Sequence, residues 1–340
     1  MGAAVARHRA GLRPGGVTAM ASGPVDAAWM SRTALREGFD LDVFEQAWRI
    51  AHLLGEIGAH GYLRGRLALK GGTCINLFHT DLPRLSVDID LNYIGGPGKD
   101  KMLAERPEVE LALRALAREH GYEPEDIRRS YAGWTARLVY EGVQGARSSI
   151  KADLNYLMRV PLYGVELLPV PGAFDLGDAR APCLALEDVY GGKLKAMAVR
   201  AEPRDVYDAA QLYKRNVAHD SERLRRAFLF YAFVDDATLS TVDLDAVKRL
   251  TAGDYAQRLH PVLRLADRPS PEELLGIVMP RVELMLQLSD EERAFGKRLE
   301  AGSYEPGLLF RGVDVSDAID RHPAAEWRRR RPHGRLPSGS

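Results

Sequence analysis

The residues best suited to chemistry lie in the run LSVDIDLNY at positions 85–93. Apolar and polar residues alternate strictly along it, the pattern of a half-buried strand. Ser86, Asp88, Asp90 and Asn92 share one face; Leu85, Val87, Ile89, Leu91 and Tyr93 share the other. The Cα atoms of Asp88 and Asp90 are then about 6.5–7 Å apart. Both carboxylates can converge on a hard cation such as Mg²⁺, which prefers oxygen ligands and keeps waters and phosphates as the others. A D-x-D pair alone more often marks an edge strand with a solvated acidic face. A calcium-binding loop is excluded, because Tyr93 stands where its glycine belongs and Lys99 where its glutamate belongs.

A second run, SIKADLNY, repeats the alternation. Lys151, Asp153 and Asn155 share one face, and Ile150, Ala152, Leu154 and Tyr156 the other. On a neighbouring strand, Asp153 would complete a carboxylate triad. Upstream, LALKGGTCINLF reads as strand, glycine turn, then a helix capped by Thr73. Gly71 and Gly72 would let a phosphate approach the backbone, and the helix start would offer it unpaired N–H groups. No Walker loop is present.

Further on, LEDVYGGKLKAMAV forms a helical pattern. Leu186, Val189, Tyr190, Leu194 and Met197 make its apolar stripe, with Lys193 in the middle and Lys195 opposite, toward solvent. An inward lysine is costly unless it meets an anion, and a triphosphate would be one. Gly191-Gly192 within the helix suggest a close backbone approach. In EPRDVYDAAQLY, Asp205 and Asp208 share a side, and Arg204 is spaced to pair with Asp208.

Taken together, KGGTCINLFHTDLPRLSVDID resembles the first motif of the nucleotidyltransferase superfamily. Its R-x-S-x-D-x-D form, here Arg84, Ser86, Asp88 and Asp90, is similar to the AbiEii-type nucleotidyltransferase toxins, the MenT-like group. LEDVYGGKLKAMAVRAEPRDVYDAAQL resembles that family's downstream motif, with Lys193, Arg204, Asp205 and Asp208 in its positions. The resemblance covers about residues 40 to 300. Thr73 stands where many members have serine, and Gly191-Gly192 precede Lys193 where an acid is common. The resemblance implies a type IV toxin of a toxin–antitoxin pair, partnered by a winged-helix repressor. It implies transfer of a nucleotide from an NTP to an acceptor, a tRNA 3′ end in characterised relatives, which blocks translation.

On that reading Asp88, Asp90 and Asp153 hold Mg²⁺ (or Mn²⁺), and Asp153 alternatively serves as base. Gly71, Gly72, Thr73, Ser86 and Asp208 bind nucleotide. Lys193 offsets phosphate charge, and Asp205 completes the catalytic set. The alternatives are transfer to a protein or small molecule, and a non-catalytic nucleotide- or RNA-binding module of the same fold. Tyr190, Tyr207 and Tyr213 are candidates to stack single-stranded bases, though each alone is more often a core residue. Arg223, Arg225 and Arg226 could contact phosphates, though a solvated helix face is the commoner use of such a cluster.

Other elements must position these groups. A helical pattern spans 42–58 and another 103–120; strands are expected at 67–70, 134–140 and 148–157, and helices from 186 to about 300, Pro203 opening one. The expected class is α+β: a nucleotidyltransferase-like mixed sheet with helices, then a mostly helical half. The expected division is a disordered start over 1–30, a catalytic domain over 31–180, a helical domain over 181–320 and a basic tail over 321–340. Met20 or Met30 is a candidate initiator.

The chain has 340 residues, 46% hydrophobic and 28% charged, which excludes global disorder and fibrous repeats. No apolar run is long enough for a membrane span. Lys+Arg and Asp+Glu both number 47, so nucleic-acid binding must rest on local patches rather than net charge. Two cysteines, Cys74 and Cys183, suit a reducing cytoplasm better than a disulfide framework.

Overall fold

Of the central strands, that over Leu67–Leu69 is a short, fully buried run and that over Asp88–Tyr93 an alternating one with its apolar face in the core. The computed structural model describes residues 26–236 and 238–330. Seven strands form one mixed sheet: β1 (Leu67–Leu69), β2 (Asp88–Tyr93), β3 (Glu123–Arg129), β4 (Gly133–Glu141), β5 (Arg147–Asn155), β6 (Val165–Pro169) and β7 (Arg180–Leu184). Their order is β3-β4-β5-β2-β1-β7-β6. Strands β3, β4 and β5 form an antiparallel meander. β2 runs parallel to β5 and antiparallel to β1. β1 is parallel to β7, which pairs with the edge strand β6. The α+β class expected from the pattern is the one observed.

The helices of the first half are α1 (Ala27–Glu37), α2 (Leu41–Ala59), α3 (Gly71–Thr73, continuing as a π-helix over Cys74–His79) and α4 (Lys99–Glu119). Asp26 and Asp40 cap α1 and α2 by accepting backbone N–H groups. Helix α2 buries Ala47, Ile50, Leu54 and Ile57 against the sheet. Gly58 lets it close on β7, since a Cβ there would lie 1.8 Å from the Arg180 carbonyl oxygen.

The second half carries α5 (Leu186–Arg200), α6 (Pro203–Lys214), α7 (Ser221–Asp235), α8 (Leu244–Lys248), α9 (Ala252–Arg258), α10 (Pro271–Met285), α11 (Asp290–Glu300), α12 (Gly307–Phe310) and α13 (Pro323–Arg330). Pro203 opens α6 at its first turn, as expected. Gly191 brings α5 against α7: a Cβ there would lie 2.5 Å from the Ala227 Cβ and 2.8 Å from the Phe228 nitrogen. No helix among the described residues is long and apolar enough to cross a membrane.

Both ends depart from expectation. The expected disordered start reaches Met30, yet α1 begins at Ala27 and Met30 is fully buried. The expected basic tail starts at 321, yet α13 packs Ala324 and Ala325 into the core, and His322 faces the Val160 carbonyl. Residues 1–25, with the candidate initiator Met20, and residues 331–340 lie outside the described residues. Strands β3, β6 and β7 and helix α1 were not foreseen.

Candidate active site

Strand β2 delivers the carboxylates because Ile89 and Leu91 anchor one of its faces in the core. The pairing with β5 sets Asp90 directly beside Asp153, Asp88 beside Lys151 and Asn92 beside Asn155. Two runs that alternate in the same phase therefore present one continuous polar face. Asp153 accepts a 2.6 Å hydrogen bond from the Thr135 hydroxyl on β4 and pairs with Lys151 Nζ at 2.8 Å. Burial, reinforced by the Asp90 charge, pushes the Asp88 carboxyl above its ordinary range. Three clustered carboxylates in a partly dry site are the donor set a hard divalent cation takes. The donor chemistry fits the metal, although the ligand oxygens of the three do not all lie within 4.8 Å of one another, so an ion would have to draw them together.

The glycine turn abuts these acids. Gly71 has φ +72°, and a Cβ there would lie 2.5 Å from Asp90 Oδ2. Both its conformation and its lack of a side chain are therefore required. A Cβ on Gly72 would lie 2.8 Å from Arg84 Nη2. Thr73 does not cap the helix; Lys70 occupies that position and gives no side-chain cap. The Thr73 hydroxyl is buried, where it donates to the Asp88 carbonyl and lies 2.9 Å from Ser86 Oγ. It latches the turn onto β2.

Behind the carboxylates lies a buried ionic network. Arg84 clamps Asp208 through two hydrogen bonds of 2.7 Å. Lys193 Nζ lies 2.7 Å from Asp205 Oδ1 and 2.9 Å from Asp208 Oδ2. Asn76 donates to Asp208 at 3.0 Å, and Arg200 donates to Asp205. Burial alone would raise the Asp208 carboxyl, but Arg84 and Lys193 hold it at about 2. Burial alone would lower the Lys193 ammonium, but Asp205 and Asp208 keep it above its ordinary value. The inward lysine meets an anion as expected, and the anion belongs to the protein itself. Arg204 does not pair with Asp208; it donates to the Arg258 carbonyl.

A cleft of about 670 Å³ opens over Asp88, Asp90 and Asp153. Gly71, Gly72, Ser86, Lys193 and Asp205 reach its wall, whereas Thr73 and Asp208 lie behind it. Lys195 corrects the helical wheel. It lines the cleft and pairs with Asp235 at 2.7 Å. The face of α5 read as solvent is the cleft wall. Arg204 also lines it, with no carboxylate partner among the described residues. The sequence pattern sets Lys195 toward solvent, although the charge density of α5 is a signal, and it gives Arg204 only as a motif position that pairs with Asp208.

The proposed stacking groups are not on this surface. Tyr190 and Tyr207 are buried, and Tyr213 packs under the Arg281 guanidinium. Tyr231 reaches the cleft instead, with its hydroxyl on Asp188. The Arg223, Arg225 and Arg226 cluster is consumed internally, by Asp314, Glu292 and Glu222.

Comparison with known proteins agrees with this arrangement. The profile described as "Nucleotidyl transferase AbiEii toxin, Type IV TA system" matches residues 52–277. Among solved structures, MenT4, a nucleotidyltransferase toxin from Mycobacterium tuberculosis, is 22% identical, with a TM-score of 0.59 over 80% of this chain and 94% of that one. At that identity the likeness is one of fold. No curated protein matches the chain. With well over half its length matched by the profile, the chain belongs to the AbiEii nucleotidyltransferase toxins of type IV toxin–antitoxin systems.

Proposed function

We propose that this toxin transfers a nucleotide from an NTP to an RNA acceptor, the 3′ end of tRNA, and so blocks translation. The observation that carries the reading is the register of β2 on β5, which gathers Asp88, Asp90 and Asp153 on the floor of one cleft beside the Gly71-Gly72 turn. These three carboxylates would hold Mg²⁺ or Mn²⁺. When bound, the ion supplies charge neutralisation at the phosphates. The backbone at Gly71 and Gly72 and the Ser86 hydroxyl orient the triphosphate. The acceptor hydroxyl attacks the α-phosphorus, the bond to the β-phosphate breaks, pyrophosphate leaves, and the hydroxyl proton passes to solvent or, where Asp153 serves as base instead of as a metal ligand, to its carboxylate.

Positive charge toward the phosphates comes first from Arg204, because Lys193 is neutralised by Asp205 and Asp208; Lys195 adds to it only by leaving its pair with Asp235. Lys193, Asp205 and Asp208 hold the wall in place. The catalytic unit runs from α1 through β7 rather than from 31 to 180, because β7 pairs with β1 in the sheet, and the helical wall of the cleft starts at α5 rather than at 181. The antitoxin that the family brings would be a winged-helix repressor, and the setting a reducing cytoplasm, which suits the free, buried Cys74 and Cys183.

The experiment incubates the protein with Mg²⁺, each labelled NTP, and total bacterial RNA or total protein. Label at tRNA size is expected. Label confined to protein would move the acceptor to another class, and no label with any NTP would leave only a binding module.

A further inference from the structure

Among the described residues, one group of metal-ligating side chains stands outside the cleft. His52 and Glu56 stand one turn apart on α2, and His120 ends α4. Their ligand atoms all lie within 4.8 Å of one another. None of the three lines the catalytic cleft.

The spacing is that of ligands rather than of hydrogen-bonded partners. His52 Nε2 is 3.6 Å from Glu56 Oε1, and His120 Nε2 is 3.6 Å from Glu56 Oε2. Ion pairs of imidazole and carboxylate close to about 2.7–2.9 Å. Ligands at about 2.0–2.2 Å from a tetrahedral Zn²⁺ stand about 3.3–3.6 Å apart. Both edges to Glu56 thus have the spacing of ligands, one to each of its oxygens, so the carboxylate would meet a shared ion through both, and neither ring makes a hydrogen bond among the described residues.

The rings are held for the purpose. His52 stacks on Trp48 with centroids 5.3 Å apart and planes within 3°. His52 and His120 meet edge to face at 5.0 Å.

We propose that His52, Glu56 and His120 form a site for a divalent transition-metal ion, Zn²⁺ by its donor set, with water as the fourth ligand. Two imidazoles and one carboxylate select this class, whereas Mg²⁺ prefers six oxygens. The ion ties α2 to the C-terminal end of α4. It is separate from the ion of the catalytic carboxylates.

Co²⁺ titration of the purified protein in excess Mg²⁺ tests the site. One equivalent is expected to give the intense visible bands of tetrahedral cobalt. Glu56→Gln, which keeps the side-chain shape, and His120→Ala should each weaken binding more than about a hundredfold, since even outer-shell partners are worth 10–100-fold. Asp88→Ala should retain the bands. Zn²⁺ should displace the cobalt and raise Tm in the wild type but not in Glu56→Gln. Absence of tetrahedral bands in the folded wild type, their survival in Glu56→Gln, or their loss in Asp88→Ala would overturn the proposal.

Discussion

Asp88 sits in an unfavourable place. Its carboxyl is raised by burial and by Asp90, so the folded state holds that proton more tightly than the unfolded one. The associated stability is present at low pH and declines as pH rises through the raised value. Asp88→Asn should therefore abolish nucleotide transfer and raise Tm at neutral pH, with the gain shrinking on acidification. A Tm below wild type at pH 7 would contradict the assignment. Gly71 makes the complementary case. Gly71→Ala should lower transfer sharply, because its Cβ meets Asp90 Oδ2, and cost about 1–2 kcal/mol for the left-handed backbone. Chemical denaturation and a transfer assay separate the two effects. Lys193 and Lys195 also part company: Lys195→Ala should raise the KM for NTP with the fold intact, whereas Lys193→Ala leaves Asp205 and Asp208 less compensated and should lower stability. Equal KM effects without a stability loss at Lys193 would reverse these roles.

The buried network joins three elements: the lead-in to β2 through Arg84, α5 through Lys193, and α6 through Asp205 and Asp208. Asp208, held at about 2, contributes stability that is complete above about pH 4 and lost as pH falls toward 2. Asp208→Asn should cost about 3–5 kcal/mol at pH 7, the usual penalty for stranding buried charge. It should also flatten the acid limb of stability against pH; a steep limb retained in the variant would place the effect elsewhere. At this scale the sequence was partly legible. The phase of LSVDIDLNY and SIKADLNY was sufficient to name Asp88, Asp90 and Asp153, because period-two alternation depends only on local order. That β2 and β5 run parallel depends on how far the chain travels between them, through α4 and two strands, which no local pattern records. The wheel misplaced Lys195 because it assumes one buried face, and α5 has α7 on one side and the cleft on another. β7 escaped notice because APCL is too short and too uniformly apolar to show a period, and Thr73 was read as a cap because caps and buried hydroxyls draw on the same residue type.

For the whole molecule, the equal counts of 47 acids and 47 bases conceal extensive internal pairing, and Arg225 and Arg226 on Glu292 show how basic clusters are used up in holding helices together. The C-terminal arginines follow suit, since Glu326 takes Arg329 and Arg330. Deleting residues 322–340 should therefore lower Tm through loss of the α13 packing, beyond any effect on RNA affinity; an unchanged Tm would return this segment to the role of a tail. The Arg84–Asp208 clamp also has a meaning in time. Its partners are 124 residues apart, so at a synthesis rate of about 5–20 residues per second Asp208 is made roughly 6–25 s after Arg84. Through that interval the nascent chain already carries Asp88, Asp90 and then Asp153, but lacks the wall that holds them in working order. On the proposed reading, transfer waits until the helical half has been made, and a ribosome that stops early should release a fragment with the carboxylates but without the activity.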